Sequence, residues 1–228
     1  MDSTGVTTGK IVASGVAHSP MTIKDAIVRF QTERDSCASP ALREVINDMI
    51  DRNIKTEFSN DSYPDALTLT DVMFSRSTQN IRMLTGAQGD GFLKALKDSF
   101  VKALDKIKLN GGRVRVIVLG QTNRCLDELQ RTYPETLEVI PAHANSLIKH
   151  FTVCDSRMAR MEEVHEALTD ETLASAIKAR VCFNDPVQAK ALEEFFDQIW
   201  NRLKQLLQKS APTQPPAPAK PNEAVHTN

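Results

Sequence analysis

Apolar positions recur along this chain in two periods, and the change of period divides it. From Thr22 to Phe30 the spacing of Ile23, Ala26, Ile27 and Phe30 predicts a helix with one apolar face. Ser39-Pro40 gives an N-cap followed by proline at the first helical position. The helix after it carries Leu42, Val45, Ile46, Met49 and Ile50. Phe58 to Pro64 reads as a loop, and residues 65–80 as a short helix or an irregular connection. Strands and helices then alternate. Asn80 to Ala87 is a strand, Gly86 to Gly91 a turn, and Phe92 to Leu109 a helix closed by Asn110-Gly111-Gly112. Arg113 to Leu119 is rich in valine and isoleucine, as central strands are. A helix from Cys125 to Tyr133 stops at Pro134, and Leu137 to Ile140 is the next strand. Two strands that can form a hairpin follow His150, then a strand from Ala179 to Phe183. Asn184-Asp185-Pro186 caps a final amphipathic helix reaching about Lys209.

This pattern predicts an α/β fold, a mixed sheet flanked by helices. The expected organisation is a flexible arm (1–20), an N-terminal helical element (21–78), an α/β domain (79–209) and a disordered Pro/Ala-rich tail (210–228). The 228 residues, 41% of them hydrophobic, suffice for one core. The formal charge of −1 gives no global bias towards nucleic acid. No apolar run is long enough to span a membrane, and the N-terminus lacks the basic and apolar stretches of a secretory signal. A cytoplasmic location is the resulting expectation. Cys37, Cys125, Cys154 and Cys182 are widely spaced, which predicts reduced, mostly buried thiols and no metal site.

The stretch from Ile148 to Trp200, with IKHFTVCD and FNDPVQAKALEEFFDQIW at its ends, resembles the second part of one half of a phospholipase D-like domain. The order β-α-β-α-β-β-β-α from residue 80 to 205 carries the same resemblance. It implies a domain that builds one site from two copies, hence a homodimer. The family's catalytic motif is H-x-K-x4-D. With His150 as the nucleophile, the lysine and aspartate positions fall on Thr152 and Arg157. With Asp155 as the aspartate, they place His150 at the lysine and Ile148 at the nucleophile. The second register keeps the V-x-D ending. Neither completes the triad, so the resemblance implies a single degenerate half-domain without ordinary phosphodiesterase chemistry.

The candidate ligand-binding residues are His150, Asp155, Arg160, Glu162 and His165, two imidazoles, a guanidinium and two carboxylates at a sheet end. A protein partner or a phosphate-containing ligand is the expected occupant, with no cofactor. The role implied by analogy is a sensor or accessory part of a bacterial regulatory or defence system. The alternative is a divergent dimeric nuclease or phosphodiesterase using His150 or His165, with Asp155. Arg113 and Arg115, with the lysines of the preceding helix, form a candidate nucleic-acid face for a module without catalysis. The turn GAQGDG matches neither phosphate-binding glycine motif, and Asp90 suits an N-cap.

Overall fold

The computed structural model describes residues 21–33, 39–60, 63–86, 90–120, 122, 124–142, 149–163, 171–172 and 178–210. The arm at 1–20, Cys37, Ala87 to Gly89 in the glycine turn, His165 and the tail from 211 lie outside them. The elements run α1 Ile23–Glu33, α2 Ser39–Asp51, β1 Thr56–Asn60, α3 Tyr63–Arg76, β2 Asn80–Gly86, α4 Asp90–Ala95 and α5 Lys97–Leu109. They continue β3 Arg113–Leu119, α6 Arg124–Thr132, β4 Leu137–Ala142, β5 Phe151–Cys154, β6 Met158–Glu162, β7 Ala179–Phe183 and α7 Pro186–Ser210.

The strands form one mixed sheet in the order β1-β7-β6-β5-β2-β3-β4. β2, β3 and β4 are parallel; the other pairings are antiparallel. α1 to α6 cover one face around a core that includes Phe74, Phe100, Ile81 and Val116. α7 covers the other through Phe196, Trp200 and Ala189. The expected α/β class with helices on both faces is what forms.

Three local expectations change. The predicted loop at Phe58 begins inside β1, which pairs with β7 from Thr56↔Phe183 to Asn60↔Ala179. Its polar composition hides a strand whose Phe58 and Asn60 point inwards, Phe58 meeting the Phe183 ring edge-on at 5.9 Å. The short helix or irregular connection is α3, a full 14-residue helix buried on nearly every side. It shows no apolar stripe because its polar groups are satisfied internally. Thr70 Oγ1 donates to the Ala66 carbonyl at 2.7 Å, and buried Asp71 pairs with Arg43. The single helix from Phe92 divides at Leu96, whose φ of −97° and ψ of 7° turn α4 away from α5. Phe92 then meets Tyr63 at 5.6 Å, while Phe100 of α5 packs on Phe74. The glycine pair behaves as expected. Gly111 takes φ +68°, and a Cβ on Gly112 would stand 1.9 Å from the Gln79 carbonyl oxygen.

The β5–β6 hairpin turns through Asp155 and Ser156, both at positive φ (50° and 54°). Arg157 N donates to the Cys154 carbonyl across it. Two successive left-handed residues belong to the turn type that suits hairpin twist, usually built with Asn and Gly. A non-glycine residue there costs about 1–2 kcal/mol. The Asp155 carboxylate offsets this. It accepts bonds from Thr78 N (2.8 Å), Thr78 Oγ1 (3.0 Å), Gln79 N (2.8 Å) and Asn80 N (2.9 Å). Bonds to a charged acceptor contribute about 1.5–3 kcal/mol each, so even two outweigh the turn's strain. The hairpin is thereby fastened to the start of β2.

α7 is fastened by charge as well as by apolar contact. Arg82 of β2 donates to both Asp197 oxygens (3.0 and 3.1 Å) and to Glu193 (2.7 Å). Arg115 of β3 reaches Asp197 at 3.2 Å and lies 5.6 Å over the Trp200 ring. At the N-terminus of α7, Asp185 accepts the Gln188 amide at 3.2 Å and pairs with Lys55 at 2.9 Å. Asn184, at φ 54°, donates to the Met49 and Ile54 carbonyls and so ties α2 to this end of the sheet.

Two predictions follow from these fastenings. Asp155→Ala lowers unfolding stability by about 2–4 kcal/mol in denaturant titration, because three backbone amides lose a charged acceptor. Asp155→Gly, which relieves the turn, recovers at most about 1 kcal/mol of that loss. The second concerns acid. Burial raises the Asp185 carboxyl, but Lys55 and the Gln188 and Val187 amides outweigh it and hold the group below its ordinary value of 3.8. A depressed carboxylate stabilises fully above its ordinary value, and that stabilisation is lost as pH falls through the folded value. Lys55→Met therefore moves the acid-unfolding midpoint to higher pH in far-UV circular dichroism; an unmoved midpoint contradicts the pairing.

Candidate functional site

The strand registers decide which polar residues meet. Leu84 pairs with Phe151 and Phe151 with Met161. His150 directly precedes Phe151 near the end of β2, and its carbonyl accepts the Glu162 amide at 2.9 Å. Thr152 pairs with Arg160 one row back on the same face, the face that α4 covers. His150, Arg160 and Glu162 thus converge where the parallel strands β2 and β3 end, the end at which open α/β sheets hold ligands.

Glu162 joins the other two. Its Oε2 lies 3.2 Å from His150 Nδ1, and its Oε1 accepts a bond from Arg160 Nη1. Arg160 is 3% exposed and its guanidinium lies 5.5 Å over the Phe92 ring. Its Nε–H is buried with no acceptor. The carboxylate neutralises the arginine and orients the imidazole through Nδ1. Chemically this is a compensated triad, able to accept or donate hydrogen bonds and to exchange one anion for another.

Asp155 does not join them. Cys154 pairs with Ile81 at the opposite end of β5, so Asp155 sits beside Asn80 and serves the turn described above. Tertiary pairing separates two groups that lie five residues apart in sequence. Conversely, Phe92 and Thr152 lie beside Arg160, although the sequence marks Thr152 only as a motif position and Phe92 only as an apolar helix position. The signal for Thr152 is its parity with His150 along the strand. No sequence signal links Phe92 to Arg160, since the break at Leu96 brings it there.

Arg113 and Arg115 lie at the other end of β3. Arg113 is exposed, while Arg115 is engaged by Asp197 and Trp200. The cleft beside them, about 250 Å³, also carries the carboxylates of Glu135 and Glu138, the latter paired with Lys204. On the preceding helices, Lys106 bonds to the Ser75 carbonyl and Lys97 faces Glu128. Among the described residues, no group of His, Cys, Asp and Glu side chains is placed to hold a metal ion. None of the described helices is long and apolar enough to cross a membrane.

No family model matches the chain, and none of the curated proteins matches it. Solved structures similar to it include members of the phospholipase D family. Nuc from Salmonella typhimurium, a phospholipase D family member, has 14% identity and a TM-score of 0.44, covering 64% of this chain and 95% of its own. NucT from Helicobacter pylori has 10% identity and a TM-score of 0.47 over the same shares. An archaeal chromatin protein whose structure shows a novel mode of DNA binding has 15% identity and a TM-score of 0.46. That similarity covers 77% of this chain, which spans 64% of the chromatin protein's.

The described cysteines, Cys125, Cys154 and Cys182, are buried and form no disulfide. Burial pushes the Cys154 thiol up to about 12. Burial, reinforced by Glu57, does the same for Cys182, whose Sγ donates to Gln188 Oε1 at 3.0 Å. Since the thiolate is the reactive form, both residues should alkylate about a thousandfold more slowly in the native protein at pH 8 than in urea. Peptide mapping after timed labelling checks this; native labelling at the denatured rate would show either thiol to be accessible and ionised.

Proposed function

We propose that this chain is a non-catalytic phospholipase D-like module that binds a ligand or a protein partner where β2 and β3 end. The observation that carries this reading is the commitment of Glu162 to both His150 and Arg160. A covalent-histidine phosphodiesterase needs a nucleophile and an uncompensated cation facing the same phosphate. Here the arginine is already neutralised by a carboxylate. From β2 to α7 the elements follow the order of a phospholipase D-like half with one strand more before α7, which supports the resemblance. In the register that takes Asp155 as the motif aspartate, His150 stands at the lysine position and Ile148 at the nucleophile position. Isoleucine has no atom that attacks phosphorus. A homodimer is part of the proposal, since a single half supplies one side of such a site.

One observation favours a second reading. Glu162 holds His150 by Nδ1, as an orienting carboxylate holds a working histidine. This supports the divergent dimeric nuclease or phosphodiesterase.

Cleavage assays on phosphodiester and nucleic-acid substrates, with and without EDTA, separate the two. They compare the purified protein with a His150→Ala/His165→Ala double variant. The module reading predicts no turnover above background in either protein. Metal-independent cleavage that disappears in the double variant contradicts it and establishes the second. Steep loss of retention on DNA or RNA with rising salt, without cleavage, moves the module towards nucleic acid.

A further inference from the structure

Arg160 is a buried cation whose donor fork is half used. One of its terminal nitrogens bonds to Glu162, its face is covered by Phe92, and its Nε–H meets no acceptor. Buried N–H groups without an acceptor are uncommon and unfavourable, and they call for an explanation. A guanidinium fork is matched by an acceptor that offers two oxygens to two parallel N–H groups. The Glu162 carboxylate does not do this. It turns one oxygen to Arg160 and the other to His150 Nδ1, so that it bridges the two donors.

We infer that Glu162 is an internal plug: its carboxylate occupies an oxyanion site built by His150 and Arg160, and an oxyanion ligand enters only by displacing it. The inference rests on the reading that this end of the sheet binds a ligand, and it names that ligand's chemical class. Glu162 is the last residue of β6, so its side chain can swing away without breaking a ladder bond. Its side chain is 15% exposed, which leaves a path outwards. While the carboxylate is in place, an incoming anion meets like charge and finds no uncompensated cation. Once it leaves, a tetrahedral oxyanion can bond to Nε and a terminal nitrogen of Arg160 together and still reach His150. The plug therefore sets selectivity, because only a ligand that also satisfies the idle Nε–H gains over the carboxylate it replaces.

The test is thermal unfolding of the full chain, titrated with inorganic phosphate against chloride at matched ionic strength. Wild type is compared with Glu162→Gln and with the double variant Glu162→Gln/Arg160→Gln. Phosphate should raise the midpoint of Glu162→Gln saturably, with an apparent Kd at least tenfold below that of wild type, and leave the double variant unmoved. Should Glu162→Gln fail to fold, Glu162→Asp, which draws the carboxylate back by one methylene, is expected to show the same order. An equal phosphate response in wild type and variant, or none in either, overturns the plug. The readout is binding and not turnover. A protein that cleaves phosphodiesters yet shows the tenfold difference would sink the non-catalytic reading and leave the plug standing.

Discussion

The Asp155 carboxylate is the contact on which the arrangement of this sheet depends. It accepts three backbone amides and one hydroxyl from the start of β2 while sitting in a left-handed turn. Without that acceptor, the turn of the β5–β6 hairpin has only its strain and the amides of Thr78 to Asn80 lose their charged partner. With it, β5 is held in register against β2, and the pairing of β5 with β6 then places His150 next to Glu162. A single carboxylate at one end of the strand thus sets which side chains meet at the other.

Charge is distributed over the sheet by the same logic. On the α7 face, Arg82 and Arg115 are matched by Glu193 and Asp197, so the helix lies across the strands at a defined place. Such partly buried pairs add specificity of placement more than net stability, because desolvation offsets much of the attraction. On the opposite face, Arg160 pairs with Glu162 beside the Phe92 ring, and one of its donors stays idle. The first cluster leaves no buried arginine donor without a partner and reads as structure. The second leaves a donor over, and the proposed oxyanion site rests on that surplus.

Most of the fold was legible in the sequence. β3 announces itself by RVRVIVL, α7 by a long apolar stripe behind Asn184-Asp185-Pro186, and the hairpin by the two short strands after His150. What was hidden has physical causes. β1 is an edge strand with only Phe58 as a large apolar group, and its inward partner is a buried asparagine. α3 is wrapped on all sides, so its polar Thr68, Thr70 and Asp71 blur the period that reveals a surface helix. The candidate site was legible in part. His150, Arg160 and Glu162 were picked out as residue types, but the sequence also drew in Asp155. Closeness along a strand does not show which end of it a side chain serves. The pairing of β5 with β2 supplies that distinction.

The claim that these polar residues divide into a structural clasp and a separate binding cluster is tested most directly by double-mutant cycles on unfolding free energy. Side chains in one network couple by about 0.5–3 kcal/mol, whereas groups far apart add to within about 0.5 kcal/mol. The account predicts clear coupling between Glu162→Gln and Arg160→Gln, and additivity between Glu162→Gln and Asp155→Ala. Coupling of Asp155 to Glu162 as strong as that of Arg160 to Glu162 would contradict it, and would return the aspartate to the site.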